Sequence, residues 1–414
     1  MHKFAHMADI HLGAHREPTL QKLEADAFRT AMDKCIHLGM DFILICGDFF
    51  HVGIPDLSVV NEALLKIRDV QKAGIPIYVI YGSHDYTPNG TSVIDILDTA
   101  GVLTKIVKLK TEDKVRLDFF EDRKTGAKLA GISARKIGLE RKYYEMLDKE
   151  NLEKEDGFKI FAFHSAITEL KPEYLSEMES IPISSFPKGF DYYAGGHIHQ
   201  RGEFNLPSYR RIIFPGPLFT GHGRDLEVTA KGEERGFYII SFNEKVRNIE
   251  FQAIKNFEGI YQEYDATDKN SLQVDREIKQ LFQIDVKGKV VVLKVRGELS
   301  GGKVSDIDFL AIKANLLEKG ALYIHLNRYG LISREFPKII AHGEEVSAIE
   351  SRVLKEKINQ IKVSEITLKD PSVAMEVLKI IRQEQKSNES KREYQERMVR
   401  SAIGTLRLEE VFDK

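Results

Sequence analysis

The sequence predicts an α/β fold: two mixed β-sheets packed as a sandwich with helices outside, then a small α+β module and a helical tail. Three observations predict it. Apolar runs alternate with helical repeats from Lys3 to Ala100, short strands joined by charged turns follow Gly101, and helical stripes dominate beyond Gly343. Alternation of strand and helix implies a parallel sheet covered on both faces. The expected boundaries are 1–250 for the sandwich, 256–335 for the module and 343–414 for the tail.

The runs Lys3–Ala8, Phe42–Cys46, Ile75–Tyr81, Phe158–Phe163 and Tyr192–Gly195 are short and apolar, as buried strands are. Leu23–Leu38 repeats Ala27, Ala31 and Cys35 at helical spacing. A second helix runs from Asp56, an N-cap after Pro55, to Gly74, with Val59, Ala63 and Ile67 on one face. Ser92–Ala100 is a short third helix behind the Asn89-Gly90 turn. Lys105–Leu109, Val115–Phe120 and Lys128–Ile132 read as strands. Arg211–Gly223, with its Phe214-Pro215-Gly216-Pro217 run, reads as a loop, and Gly236–Phe242 as a closing strand. The module follows: helix Ser271–Phe282, strand Val290–Val295, helix Ile307–Leu317 ended near Gly320, and strand Leu322–Leu326. In the tail, Val346, Ile349 and Val353 share a stripe. Asp370-Pro371 starts a helix striped by Ala374, Val377, Leu378 and Ile381. Polar residues from Gln383 to Lys391 separate it from a last helix carrying Tyr394, Met398 and Ala402.

At 414 residues and a formal net charge of −2, the chain can bury a sizeable core and carries no global basic footprint. That leaves nucleic-acid binding open, because such a footprint is a local patch rather than a sum. Cys35 and Cys46, the two cysteines, imply no disulfide framework, and Cys46 reads as a buried structural thiol. No signal segment opens the sequence and no apolar run is long enough to span a bilayer. A soluble, cytoplasmic protein with no membrane partner is expected.

Five clusters carry the chemistry: Asp9-Ile10-His11, Gly47-Asp48-Phe49-Phe50-His51, Gly82-Ser83-His84-Asp85, Phe163-His164-Ser165 and Gly196-His197-Ile198-His199. Each follows an apolar run and so sits at a strand end, the edge where open α/β sheets bind ligands. Carboxylates mixed with neutral imidazoles suit a pair of divalent cations. An aspartate such as Asp48 can bridge two cations about 3.5–4 Å apart. Asp9 and His11 stand one strand repeat apart and converge more easily if the strand has turned into a loop; His197 and His199 share that spacing. Two cations held this way polarise a phosphoryl oxygen, activate a bridging water and stabilise the leaving oxygen. His84, beside Asp85, is the best candidate for the acid that protonates the departing alkoxide. Singly, Asp-x-His and His-x-His are weak signals; in this joint order they are strong. His6 reads as a core residue or a support behind the ligands. His2, His15, His37, His222, His325 and His342 read as ordinary.

These motifs resemble the calcineurin-like metallophosphoesterase superfamily as far as the Arg211–Gly223 loop. The stretch from Phe4 to Gly13, the Gly47–His51 run and the block ending at His199 are similar to the SbcD-type double-strand-break repair nucleases, the Mre nuclease family. The resemblance implies two Mn2+ ions. Asp9, His11, Asp48 and His199 would hold one, and Asp48, Ser83, His164 and His197 the other. His84 would be the catalytic histidine, grouped with Asp85, and His51 would position the scissile phosphate. The resemblance further implies 3′-to-5′ exonuclease and single-strand endonuclease activity on DNA. It also implies a dimer through the phosphoesterase core, with helices in Pro55–Gly74 or Ser92–Gly101 at the contact. The module becomes a cap, and the tail docks on an SMC-like coiled-coil ABC ATPase of the SbcC type.

Position 83 departs from the superfamily's Gly-Asn-His-Asp/Glu pattern. A serine hydroxyl is shorter than an asparagine amide, so a weaker second cation site is expected rather than a dead one. Two other readings stay open. One is a phosphatase or small-molecule phosphodiesterase, which needs the module to close a small pocket. The other is a scaffold whose site has decayed through Ser83. Arg16, Arg135, Lys136, Arg141, Lys142, Arg201, Arg210 and Arg211 are candidates to touch a phosphate backbone.

Overall fold

The structure, a computed structural model, describes residues 1–87, 90–111, 113–135, 140–255, 257–333, 370–383 and 391–406. The chain divides into two compact units, residues 1–333 and 334–414. Along the first, β1 (His2–Met7), α1 (Pro18–His37), β2 (Phe42–Cys46), α2 (Leu57–Lys72), β3 (Ile77–Ile80) and α3 (Val93–Thr99) alternate. Five short strands follow: β4 (Thr104–Lys105), β5 (Lys108–Thr111), β6 (Val115–Asp118), β7 (Phe120–Glu121) and β8 (Lys128–Ile132). After α4 (Glu140–Glu145) and α5 (Glu150–Lys154) come β9 (Lys159–His164), β10 (Tyr192–Gly196), β11 (Gly202–Leu206) and β12 (Tyr209–Phe214). Next are α6 (Gly223–Ala230), β13 (Gly236–Phe242) and β14 (Val246–Ala253). The unit closes with β15 (Glu258–Asp265), α7 (Ser271–Leu281), β16 (Lys289–Leu299), α8 (Phe309–Glu318), β17 (Tyr323–Asn327) and β18 (Leu331–Ser333).

One sheet is ordered β14-β13-β1-β2-β3-β4 and the other β11-β12-β10-β9-β8-β7. β1 to β4 are mutually parallel, and so are β8, β9, β10 and β12, so each sheet gathers carboxyl ends along one edge. Alternation of side chains divides β1 and β2 between two cores. Phe4, Phe42 and Leu44 face the other sheet and share a core with its Leu129, Ile160 and Tyr192 and with Phe242 of their own sheet. Ala5, Met7, Ile43 and Ile45 face outward onto Ala27, Ala31 and Cys35 of α1 and Ala63, Ile67 and Val70 of α2. Burial on both faces is why these strands read as continuous apolar runs. The outer face of the second sheet, with Phe161, Phe163, Tyr193 and Phe214, is covered by Tyr144, Phe186 and Phe190. Both cysteines are buried and free.

Four features differ from the sequence expectation. Val115–Phe120 is divided between β6, which pairs with β5, and β7, which pairs with β8 in the second sheet. α1 starts at Pro18, ahead of its apolar repeat, because Glu17 caps it (Leu20 N–H to Oε2, 2.9 Å) and proline suits the first position. Lys105–Leu109 is broken into two strands where Ile106 turns into the inter-sheet core. Arg211–Gly223 is not all loop: β12 pairs with both β10 and β11, and the Pro/Gly run only ends it. The short apolar run of β12 was hidden beside two arginines. α6, β14 and β15 carried no clear sequence signal.

In the module, β15, β16 and β17 are parallel and β18 pairs the far half of β16. Val291, Leu293 and Val295 face Ile278 of α7 and Ile312 of α8. Val290 and Val292 face the other way and share a core with Leu226 of α6. In the second unit, Asp370 caps α9 (Pro371–Ile381), accepting the Ser372 N–H at 2.8 Å. Tyr394 of α10 (Lys391–Leu406) donates to the Gln383 carbonyl at 2.8 Å. Val346, Ile349, Val353 and His342 lie outside the described residues. Among the described residues, no helix is long and apolar enough to cross a membrane.

Phe42 is fully buried and stacks on Phe4, 4.9 Å between ring centroids. Phe42→Ala is expected to cost about 3–5 kcal/mol, read as a lower urea midpoint. A loss under about 1 kcal/mol would show that the sheets do not rely on this ring.

Candidate metal centre

The chain reverses sharply beyond β1, β2 and β10. Non-glycine residues there adopt left-handed backbone: Asp9 (φ 53°), His11 (φ 51°), Asp48 (φ 51°) and His197 (φ 85°). Such backbone costs on the order of 1–3 kcal/mol per residue and persists only where the surroundings impose it. Here the turns are laced together. The N–H groups of Asp9, His11 and Leu12 donate to the carbonyls of Gly47 (3.1 Å), Asp48 (2.9 Å) and Phe49 (3.0 Å). The Asp9 carboxylate accepts the His197 N–H through both oxygens, at 2.9 and 3.1 Å. Asp48 accepts the His84 N–H at 2.8 Å. Position 82 must be glycine, since a Cβ there would lie 2.1 Å from Asp48 Oδ1.

Three groups of side chains result: Asp9, His11 and His199; Asp9, Asp48 and His164; and His11, His51 and His84, each with ligand atoms within 4.8 Å of one another. The first two carry the carboxylates. His11 Nε2 lies 3.2 Å from His199 Nε2 and 3.6 Å from Asp48 Oδ2. His164 Nε2 lies 3.2 Å from Asp48 Oδ2 and 3.9 Å from Asp9 Oδ1. The donor set fits divalent cations. His164 Nδ1–H donates to the Cys46 carbonyl at 2.8 Å, so the neutral ring presents a lone pair at Nε2, an atom without a well-formed hydrogen bond. His199 Nδ1 is held by Asp225 Oδ2 at 2.8 Å, which leaves its Nε2 facing inward. A partner on the far nitrogen is how metal-ligating imidazoles are oriented.

Charge follows the same geometry. Burial would raise Asp48, but His164 and His11 outweigh it and hold the carboxyl well below the usual range. Burial would lower His164, yet Asp48 and Asp9 lift it to about 10. Burial and His164 together hold His197 at about 3. A cation needs neutral imidazoles, so its binding displaces protons.

Of the residues singled out in the sequence, Asp9, His11, Asp48, His164 and His199 meet. The His197 ring is 5.2 Å from that of His164 but stands outside the three-member groups. Ser83, His84 and His197 line one cleft of about 400 Å³. His51 stacks on His84 at 5.0 Å, and burial and His84 hold it at about 4. Asp85 does not pair with His84, contrary to the sequence expectation. Its buried carboxylate accepts the N–H groups of Gly82 (2.8 Å), Asp48 (2.9 Å), Phe49 (3.1 Å) and Phe50 (3.3 Å). Successive residues in an extended or turning segment point apart, so Asp85 pins the loops while His84 faces the cleft. His84 is oriented instead by donating from Nδ1 to the His51 carbonyl at 2.7 Å.

Sequence reasoning missed Asp225, Arg235 and His222. Burial would raise Asp225, but its bond to His199 and the nearby Arg235 hold it far below the usual range. Arg235, itself buried, donates to the carbonyls of His199 (2.8 Å) and Asp225 (3.3 Å). His222, read as ordinary, has its ring 5.3 Å from that of His199 and 5.7 Å from that of His11. The Gly221-His222 pair after the Pro/Gly run was the one available hint. His6 is a core residue, bonded to the Tyr192 hydroxyl at 2.9 Å. Among the basic candidates, Arg201 covers Phe251 (4.0 Å), Arg135 covers Tyr143 (4.5 Å) and Arg141 pairs with Glu145 (3.0 Å). Lys136 lies outside the described residues.

Residues 2–201 match the family of calcineurin-like phosphoesterases. The chain is similar to the DNA double-strand break repair protein Mre11 of Methanococcus maripaludis, 33% identical over 205 residues, which are 48% of this chain and 52% of that protein. It is also similar to the Mre11 of Archaeoglobus fulgidus, 25% identical over 66% of this chain and 65% of that one. The Mre11 of Thermoplasma acidophilum is 30% identical over 56% of this chain and 58% of its own length. The chain thus spans between half and two thirds of these curated relatives.

Asp225→Asn removes the charge behind His199 while keeping the side chain's shape. Divalent-cation affinity is expected to fall about 10- to 100-fold by calorimetric titration. Unchanged affinity would mean that Asp225 serves only α6.

Proposed function

We propose, from the premise that residues 2–201 are a calcineurin-like metallophosphoesterase domain, that this protein cleaves phosphodiester bonds in DNA with two bound Mn2+ ions. One observation carries the reading. Asp48 lies 3.2 Å from His164 and 3.6 Å from His11, so a single carboxylate spans the imidazoles of both ligand groups. Cations bound there would polarise the phosphoryl oxygen and activate a water between them. Asp9, His11 and His199 hold one side of the site, and His164, His197 and Ser83 the other. His84 has Nδ1 committed to the His51 carbonyl, so Nε2 is the atom left to hand a proton to the departing alkoxide. His51, stacked beside it, positions the scissile phosphate. The Mre11 relatives are named as DNA double-strand break repair proteins, which favours DNA ends over small esters.

The same reading assigns a capping role to residues 256–335. Residues 343–414 dock on an SMC-like coiled-coil ABC ATPase, since amphipathic helices such as α9 suit a partner's groove. It includes a homodimer through α2 and α3, whose Leu57, Leu65 and Ile96 are exposed apolar side chains.

Wild type is expected to degrade a 3′-recessed duplex with Mn2+, and His84→Ala to lose at least about 100-fold in rate. Turnover of p-nitrophenyl phosphate with the DNA left intact would move the protein to the small-ester phosphatases. Ser83→Asn is expected to tighten the weaker Mn2+ site, and identical binding curves would remove Ser83 from the ligand set. Leu57→Asp with Leu65→Asp should sediment as a monomer; an unaltered dimer mass would put the contact elsewhere.

A further inference from the structure

The cluster of imidazoles has one member without a role in the reading above. His222 is exposed, yet its ring centroid lies 5.7, 5.9, 6.3 and 5.3 Å from those of His11, His51, His84 and His199. It belongs to none of the three groups, and it lines the same cleft as Asp48 and His84. Its placement is built. Asp225 Oδ2 accepts the N–H groups of Gly221 (2.9 Å) and His222 (3.0 Å), and the same oxygen holds His199 Nδ1 (2.8 Å). One carboxylate oxygen therefore fixes both a ligand imidazole and the backbone that carries His222. The two rings lie parallel, with 6° between their planes. Gly221 permits the approach, since a Cβ there would lie 2.7 Å from His11 and 2.9 Å from His199.

We infer that His222 is a further substrate-contacting residue, hydrogen-bonding from the solvent side to an oxygen of the phosphodiester that enters the cleft. This rests on the metallophosphoesterase reading. The other imidazoles already have roles as ligands, as the acid or, for His51, in positioning phosphate; His222 is the most open of them, exposed where His51, His84 and His199 are half-buried and His11 is buried. A diester seated in the cleft would meet this ring, which lines it together with Asp48 and His84. If His222 served only to shield His199, its loss would act through cation binding; a substrate contact acts through phosphate.

Inorganic phosphate would be titrated into the Mn2+-loaded full chain, with cleavage of a 3′-recessed duplex followed in parallel, for wild type, His222→Ala and His222→Gln. His222→Ala should weaken phosphate binding and lower kcat/KM about ten-fold or more, mainly through KM, with Mn2+ affinity unchanged. His222→Gln, which keeps a donor, should recover part of both. Unchanged phosphate affinity and KM in His222→Ala would overturn the inference. So would an equal loss of Mn2+ affinity, which would assign the ring to His199 alone. A wild type that leaves DNA intact would remove the nuclease reading, and the phosphate titration would still decide the role of His222.

Discussion

Two aspartate carboxylates buried within 4.8 Å of each other, Asp9 and Asp48, set the terms for the rest of the first unit. A buried charge is costly unless it is hydrogen-bonded and paired. The backbone supplies part of the compensation, with the His197 N–H on Asp9 and the His84 N–H on Asp48. The His197 amide comes from a left-handed residue, and both acceptor aspartates, Asp9 and Asp48, themselves stand on left-handed backbone where the chain reverses after its strand. Imidazoles supply the remainder, and their far nitrogens are tied to Cys46 and Asp225 so that Nε2 faces the carboxylates. Strain in the turns and charge in the centre are two sides of one arrangement.

The sandwich makes that arrangement rigid. Phe4, Phe42 and Tyr192 lock the sheets face to face, and the parallel strands bring their carboxyl ends to a common edge. Asp85 then ties the loops after β2 and β3 together through four backbone amides. Ligands borne on strand ends can be held to tolerances that long loops cannot match.

Much of this was legible in the sequence. The central strands of both sheets are buried on both faces, so their apolar runs stood out, and the candidate ligands stand at or just past the ends of those runs. What escaped were relations between distant residues. Asp225 lies 26 positions from His199, on a helix of eight residues that opens with glycine. His222 sits on no apolar stripe. β12 was obscured because Arg210 and Arg211 precede its three apolar residues. Asp85 was misjudged for the opposite reason. Adjacency to His84 implied a pair, whereas the turn sends the two side chains to different partners.

α6 has two faces with different obligations. Its first turn carries Asp225 beneath His199, while Glu227 reaches the module, where Asn327 hydrogen-bonds it and Lys294 lies 3.5 Å away. Leu226 packs into a core that also contains Val290 and Val292 of β16. The module and the His199 imidazole are therefore tied to the same short helix, one through Glu227 and Leu226 and the other through Asp225. A substitution in β16 that repacks Leu226 reaches the backbone that carries Asp225, so the module is part of what holds His199 in place.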